Sequence, residues 1–144
     1  MPERILLYVE DDPDDEVLMV RALRKAGAKC TIRIARDGAE ALDAIFVDSV
    51  NRSFPDILLL DYKLPKLDGV EVIRRLRSDP RTRFIPAIVL SSSVSPECVS
   101  AAYAAGANSY LCKPMGISAI EKLAATFVAF WLDLNWQCPN QPEI

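Results

Sequence analysis

The chain has 144 residues, 51% of them hydrophobic and 26% charged, with a net charge of −3. That balance predicts one globular domain with no general attraction to nucleic acid or to an anionic membrane, and no apolar run approaches the roughly 20 residues that a membrane helix needs. The chain contains no histidine, which removes Ser-His-Asp and Cys-His catalysis and every histidine-based metal centre.

The predicted elements alternate. "RILLYV" (4–9) is a short apolar strand that runs into Glu10, Asp11 and Asp12. "DDEVLMVRALRKAG" (14–27) is helical, with Val17, Val20 and Leu23 expected on its inner side and Gly27 as its stop. "CTIRIAR" (30–36) alternates as a strand does. In "DGAEALDAIF" Asp37 and Glu40 have capping-box spacing, and Ala41, Leu42, Ile45 and Phe46 then follow at helical spacing. "DILLLD" (56–61) is a continuous apolar strand, the pattern of one buried on both faces. "DGVEVIRRLRSDP" pairs a cap at Asp68 with Glu71, and its helix ends before Pro80.

"FIPAIVLSSS" (84–93) is the fourth predicted strand. "SPECVSAAYAAGA" begins a helix with Ser95 as cap and Pro96 at its first position, and ends it at Gly106. "SYLC" (109–112) is a brief strand before Lys113-Pro114. A long helix from about Ile117 to about Trp136 closes the pattern. Five β-then-α units in strict alternation predict an α/β fold, a doubly wound parallel sheet with right-handed crossovers.

In open parallel sheets ligands sit outside the carboxyl ends of the strands. Four of the five strand ends carry reactive groups: Glu10-Asp11-Asp12, Asp61, Ser91-Ser92-Ser93 and Cys112-Lys113-Pro114. Packed carboxylates raise one another's pKa unless a cation joins them. Hard oxygen ligands suit Mg²⁺, which takes one or two carboxylates and keeps its waters. Lys113 can hold a phosphoryl oxygen as a point charge and Ser91 can donate to another. Each residue alone reads more readily as a cap, a solvated loop or a turn. Together they describe a site for phosphoryl transfer onto Asp61. The four cysteines, Cys30, Cys98, Cys112 and Cys138, form no C-x-x-C pair and read as small reduced hydrophobes. The first residues lack a signal-peptide cleavage site, so a cytoplasmic protein is expected.

The motifs "YVEDD", "LLLDYKLPKLDG", "IVLSSS" and "YLCKP", in that order, resemble the receiver domains of two-component response regulators, the CheY-like family. The resemblance runs from about Arg4 to about Trp136. It implies a five-stranded sheet of order 2-1-3-4-5 with five helices, the order for which CheY is a standard example. It assigns Asp61 as phosphoacceptor, and Glu10 and Asp11 as the acid pair that organises Mg²⁺, with Asp11 the direct ligand. Lys63 would complete the metal shell through its backbone carbonyl. Ser91 is the switch hydroxyl, Lys113 the conserved-type lysine, Pro114 its cis-bond partner, and Tyr110 the aromatic that rotates inward. Lys63 departs from the family pattern in placing a long basic side chain where others have an amide or an acid.

"SSSVSPE" and "FVAFWLDLNWQCP" are similar to single-domain regulators that partner bacterial phytochromes. The implied partner is a sensor histidine kinase of phytochrome type. A receiver domain over 1–136 with a short tail over 137–144 is expected, with no output or DNA-binding domain and no enzymatic turnover. The arginines 74, 75, 77, 81 and 83 read as a solvated face rather than a nucleic-acid surface. Around the last helix Phe127, Val128, Phe130, Trp131, Leu132, Leu134 and Trp136 point in all directions, which predicts a homodimer built on that helix.

Two rivals compete with this reading. A phosphatase of the haloacid dehalogenase kind shares the aspartate, hydroxyl, lysine and acids, but it places the nucleophile on the first strand and a second Asp where Lys63 stands. A pseudo-receiver would bind partners without phosphorylation.

Overall fold

The computed structural model describes residues 3–48 and 53–139. Five strands form one parallel sheet in the order β2-β1-β3-β4-β5. They are β1 (Arg4–Val9), β2 (Cys30–Ala35), β3 (Ile57–Leu60), β4 (Ala87–Ser91) and β5 (Ser109–Cys112). The helices are α1 (Pro13–Lys25), α2 (Gly38–Leu42, continued by a π-helical stretch Asp43–Val47), α3 (Gly69–Ser78), α4 (Pro96–Ala105) and α5 (Ile117–Phe127, continued by a π-helical stretch Val128–Leu134). The expected fold class and strand order are both observed.

The sheet divides the core in two. Leu6, Tyr8, Leu59 and Leu90 face α1 and α5. Leu7, Val9, Leu58, Leu60 and Val89 face the other layer, with Val72, Ile73 and Leu76 of α3. This follows from the period of two along a strand, which sends neighbours to opposite faces. All four residues of β3 are buried, as a central strand covered on both sides requires.

The predicted caps at Asp37, Asp68 and Ser95 form, each accepting a backbone N–H from the helix it precedes, and Asp12, not foreseen in this role, caps α1 in the same way. Gly106, with φ +112°, ends α4 in the left-handed region that only glycine adopts freely.

Four expectations are corrected. Met19, Ala22 and Leu23 form the buried stripe of α1, whereas Val17 is 45% exposed. Position 17 is two residues from Met19, which is more than half a helical turn away from the core-facing stripe. The strand expected over 84–93 is paired only at Ala87–Ser91. Before it, turns close through Thr82 N–H to Asp79 and Ile85 N–H to Thr82, and Pro86 has no N–H to give a ladder. The last helix ends at Leu134, with Asn135 extended. Finally, no cis peptide bond occurs among the described residues, so Lys113-Pro114 is trans. Trans is the intrinsically favoured X-Pro isomer, and Lys113 reaches its partners from it.

Candidate functional site

Parallel pairing aligns the strand ends. The Asp61 N–H donates to Val9 carbonyl at 3.1 Å, and the Glu10 N–H donates to Ala35 carbonyl at 3.0 Å. Asp61 and Glu10 therefore leave adjacent strands at one level. The Lys113 N–H donates to Ser91 carbonyl at 2.8 Å, which sets β5's lysine beside β4's serine. One carboxylate oxygen from each of Glu10, Asp11 and Asp61 lies within 4.8 Å of the others.

Lys113 unites the rim. Its Nζ donates to Glu10 Oε1 at 2.7 Å, to Asp61 Oδ2 at 3.0 Å and to Asp15 Oδ2 at 3.1 Å. Burial pulls the Lys113 ammonium down, but hydrogen bonds to Glu10 and Asp61 outweigh it and hold the group well above the ordinary lysine value. Burial pushes the Glu10 carboxyl up, opposed by Lys113. The ion pair keeps the buried glutamate supplied with a partner, without which a buried charge is costly. Glu10 uses both oxygens. Oε1 also accepts from Tyr8 hydroxyl at 3.3 Å, and Oε2 accepts from Asp12 N–H at 3.3 Å. Asp11 is exposed, so of the acid pair it is the freer to meet an ion directly.

The loop after β3 closes tightly. Gly69 N–H donates to Tyr62 carbonyl at 3.0 Å, and a Cβ on Gly69 would stand 2.5 Å from the Asp61 carbonyl oxygen. The "DG" that starts α3 is thus a fitting requirement of the loop that carries Asp61. Lys66 in the same loop takes φ +67°, a left-handed conformation uncommon for a side chain of this kind. Lys63 is exposed, two residues past Asp61.

Ser91 is 2% exposed, and its Oγ accepts from Ser93 N–H at 3.2 Å. Tyr110 is half-buried. Its hydroxyl donates to Ser93 carbonyl at 2.5 Å, and its ring lies 6.4 Å from the Tyr62 ring. Ser91 and Tyr110 thus meet at one short loop, through Ser93.

Of the strand-end residues singled out in the sequence, Glu10, Asp11, Asp61 and Lys113 are brought together through their side chains, Ser91 joins them through its carbonyl on the Lys113 N–H, and Asp12 caps α1 instead. Two neighbours were not foreseen. Tyr8 shares the parity of Glu10 on β1, so its hydroxyl runs alongside the acid, and that signal was available. Asp15 follows Asp11 by four residues but belongs to α1, and only the packing of α1 beside α5 on one face of the sheet brings it to Lys113, which precedes α5.

Among the described residues no helix is long and apolar enough to cross a membrane. Residues 6–125 match the family model of the response regulator receiver domain. The chain is 31% identical to the response regulator Rcp1 of Synechocystis over 134 residues, covering 92% of this chain and 91% of Rcp1. It is 36% identical to the probable methanogenesis regulatory protein FilR2 of Methanothrix harundinacea over 132 residues, covering 91% and 85%. The crystal structure of the phosphorylated cyanobacterial phytochrome response regulator RcpA superposes with a TM-score of 0.88 at 31% identity, over 94% of this chain and 99% of RcpA. The Mn²⁺-bound form of Rcp1 gives 0.84 at 30% identity, over 95% and 99%. The chain is a receiver domain of the two-component response regulator family, homologous to the phytochrome response regulators.

Proposed function

We propose that Asp61 accepts a phosphoryl group from a sensor histidine kinase, in the presence of Mg²⁺. The observation that carries this is the Lys113 ammonium seated between Asp61 and Glu10, beside the exposed Asp11. The donor set fits the ion: three hard carboxylates in reach of one another, one of them exposed and free of side-chain partners in the rim. Glu10, Asp11, Asp61 and the Lys63 carbonyl are the groups that would hold it. When bound, Mg²⁺ supplies positive charge against the anionic phosphoryl donor.

An Asp61 carboxylate oxygen attacks the phosphorus of a phosphohistidine. The O–P bond forms, the P–N bond breaks with its electron pair on the ring nitrogen, and the kinase's histidine, protonated on its other ring nitrogen, leaves as neutral imidazole. Lys113 holds one phosphoryl oxygen and Ser91 hydroxyl donates to another. Drawing Ser91 toward the phosphoryl group disturbs the loop on which Tyr110 hydroxyl is anchored, and this couples the site to the surface formed by α4, β5 and α5. Because the phosphoryl group rests on the protein, the chain is a stoichiometric acceptor and not an enzyme with turnover. It works in the cytoplasm, where a kinase's phosphohistidine is available. The likeness to RcpA, and to the response regulator RPA3017 in red light signalling of R. palustris (TM-score 0.84, 31% identity), favours a phytochrome-type kinase as donor.

The test is intact mass after incubation with Mg²⁺ and a small phosphodonor. Wild type gains one phosphoryl group, Asp61→Asn gains none, and chelation blocks the gain. Ser91→Ala is still phosphorylated, but amide exchange over 96–127 changes less than in wild type. Phosphoryl gain that persists in Asp61→Asn refutes the assignment. A wild type that never gains the group favours the pseudo-receiver reading.

We also propose a homodimer on the α5 face. Phe130 is 48% exposed, Leu134 70% and Trp136 97%. Beside them an apolar groove of about 500 Å³ runs between Leu111 of β5 and Leu123, Phe127 and Trp131 of the last helix.

A further inference from the structure

Asp15 lies outside the residues that the receiver family's pattern assigns, yet it touches Lys113. An ammonium has three N–H donors. Glu10, Asp61 and Asp15 occupy all three. The first two contacts fix Lys113 by themselves, because Glu10 is 1% exposed and lies nearest, at 2.7 Å. Asp15 approaches from another layer, the first turn of α1. That turn is anchored through Asp12 Oδ1, which accepts from Asp14 N–H at 2.8 Å and Asp15 N–H at 3.2 Å.

The three carboxylates are not equally easy to release. Freeing Glu10 leaves a buried charge with only Tyr8 hydroxyl on Oε1, and a buried charge without its partner is strongly unfavourable. Asp61 exchanges its own contact for a phosphoryl oxygen. The Asp15 side chain is 42% exposed, so water can replace the ammonium at small cost.

We propose that Asp15 is a positioning residue that restrains Lys113, holding the N–H that a second phosphoryl oxygen would take and drawing the ammonium charge toward α1. This rests on the reading of Asp61 as phosphoacceptor. Phosphoryl transfer then proceeds against a contact that this chain supplies from its first helix, and loosening that contact speeds the transfer.

The experiment compares the initial rate of phosphoryl gain from acetyl phosphate, with Mg²⁺, in wild type, Asp15→Asn, Asp15→Glu and Asp14→Asn. Asp14→Asn removes the same charge from the same turn. Asp15→Asn is expected to run about two- to five-fold faster than wild type, the scale of a part-exposed ion pair. Asp15→Glu returns toward wild type, and Asp14→Asn stays within experimental error of it. In metal-free crystals of Asp15→Asn, Lys113 keeps its contacts to Glu10 and Asp61. An Asp15→Asn rate equal to or below wild type overturns the proposal. So does an equal acceleration in Asp14→Asn, which would trace the effect to net charge, or a Lys113 that leaves Asp61 in the variant crystals. If wild type gains no phosphoryl group, the phosphoacceptor reading itself fails, and the restraint falls with it.

Discussion

Asp37 caps α2. Its Oδ1 accepts from Glu40 N–H at 2.8 Å and its Oδ2 lies 3.3 Å from Lys66 Nζ. The backbone hydrogen bond from Glu40, aided by Lys66, holds its carboxyl below the usual carboxylate value. A depressed folded-state pKa contributes stability that is present above the unfolded value, about 3.9. That contribution is lost as pH falls through the folded value. Asp37→Asn keeps the cap acceptor and removes the charge. Its thermal midpoint should therefore lie below wild type at pH 7, with the gap closing as pH falls from about 4 toward 2. A gap that is constant with pH would mean that the charge on Asp37 contributes nothing. Residues of this kind were legible, because the cap and its N3 partner stand at a fixed local spacing. The contact between Asp15 and Lys113 spans 98 positions, and no local pattern encodes it.

Arg77 shows how the elements are joined. From α3 its guanidinium donates to the carbonyls of Gly106 (3.0 Å), Arg83 (3.0 Å) and Ile85 (2.8 Å), and to Asn108 Oδ1 (2.7 Å). One side chain thus ties the end of α3 to the end of α4 and the entry to β4. Asn108 Oδ1 also accepts from Ala87 N–H at 2.8 Å, the first residue of β4. Arg77→Ala leaves two part-buried carbonyls, those of Gly106 and Ile85, without this donor and should lower stability by about 2–3 kcal/mol, read as a fall in the urea midpoint. Arg77→Lys should not restore it, because an ammonium cannot present the same planar fork of donors. A lysine variant as stable as wild type would show the fork to be unimportant. In the sequence Arg77 was grouped with Arg74, Arg75, Arg81 and Arg83 as a solvated face. Arg74 and Arg75 do pair with Glu71 on that face. Arg77 differs because it points along α3 into the α4 junction, and composition cannot separate the two.

For the whole molecule, the last helix decides what remains exposed. Ala124, Phe127, Val128 and Leu132 are buried against the β1–β3 face and α1, and Trp131 packs partly against them. The expectation that one domain cannot cover every apolar residue in this part of the chain holds for Phe130 and Leu134 of the helix and for Trp136 just beyond it. Burying these and Trp131 in a dimer supplies on the order of 6–12 kcal/mol at about 1.5–3 kcal/mol for each side chain. Association costs about 4–15 kcal/mol. The two ranges overlap, so the proposed dimer should depend on concentration and respond to phosphorylation. Light scattering over a dilution series should give a mass that rises toward two chains, and Phe130→Glu should return it to one. A single-chain mass for wild type at every concentration, with and without phosphodonor, would sink the dimer.

The sequence by itself determined the order and type of the elements, three helix caps, the parallel sheet and the set of strand-end residues. Those properties follow from side-chain periodicity and from turn chemistry, both of which act over a few neighbouring residues. Only the tertiary structure decided which face of α1 is buried, where β4 begins, which arginine becomes a clamp, and that Lys113 has three carboxylate partners. Each of these depends on the position of another element in space. Asp15 reaches Lys113 because α1 and α5 pack on one face of the sheet, which brings the first turn of α1 to the residue between β5 and α5, although the two lie near opposite ends of the chain.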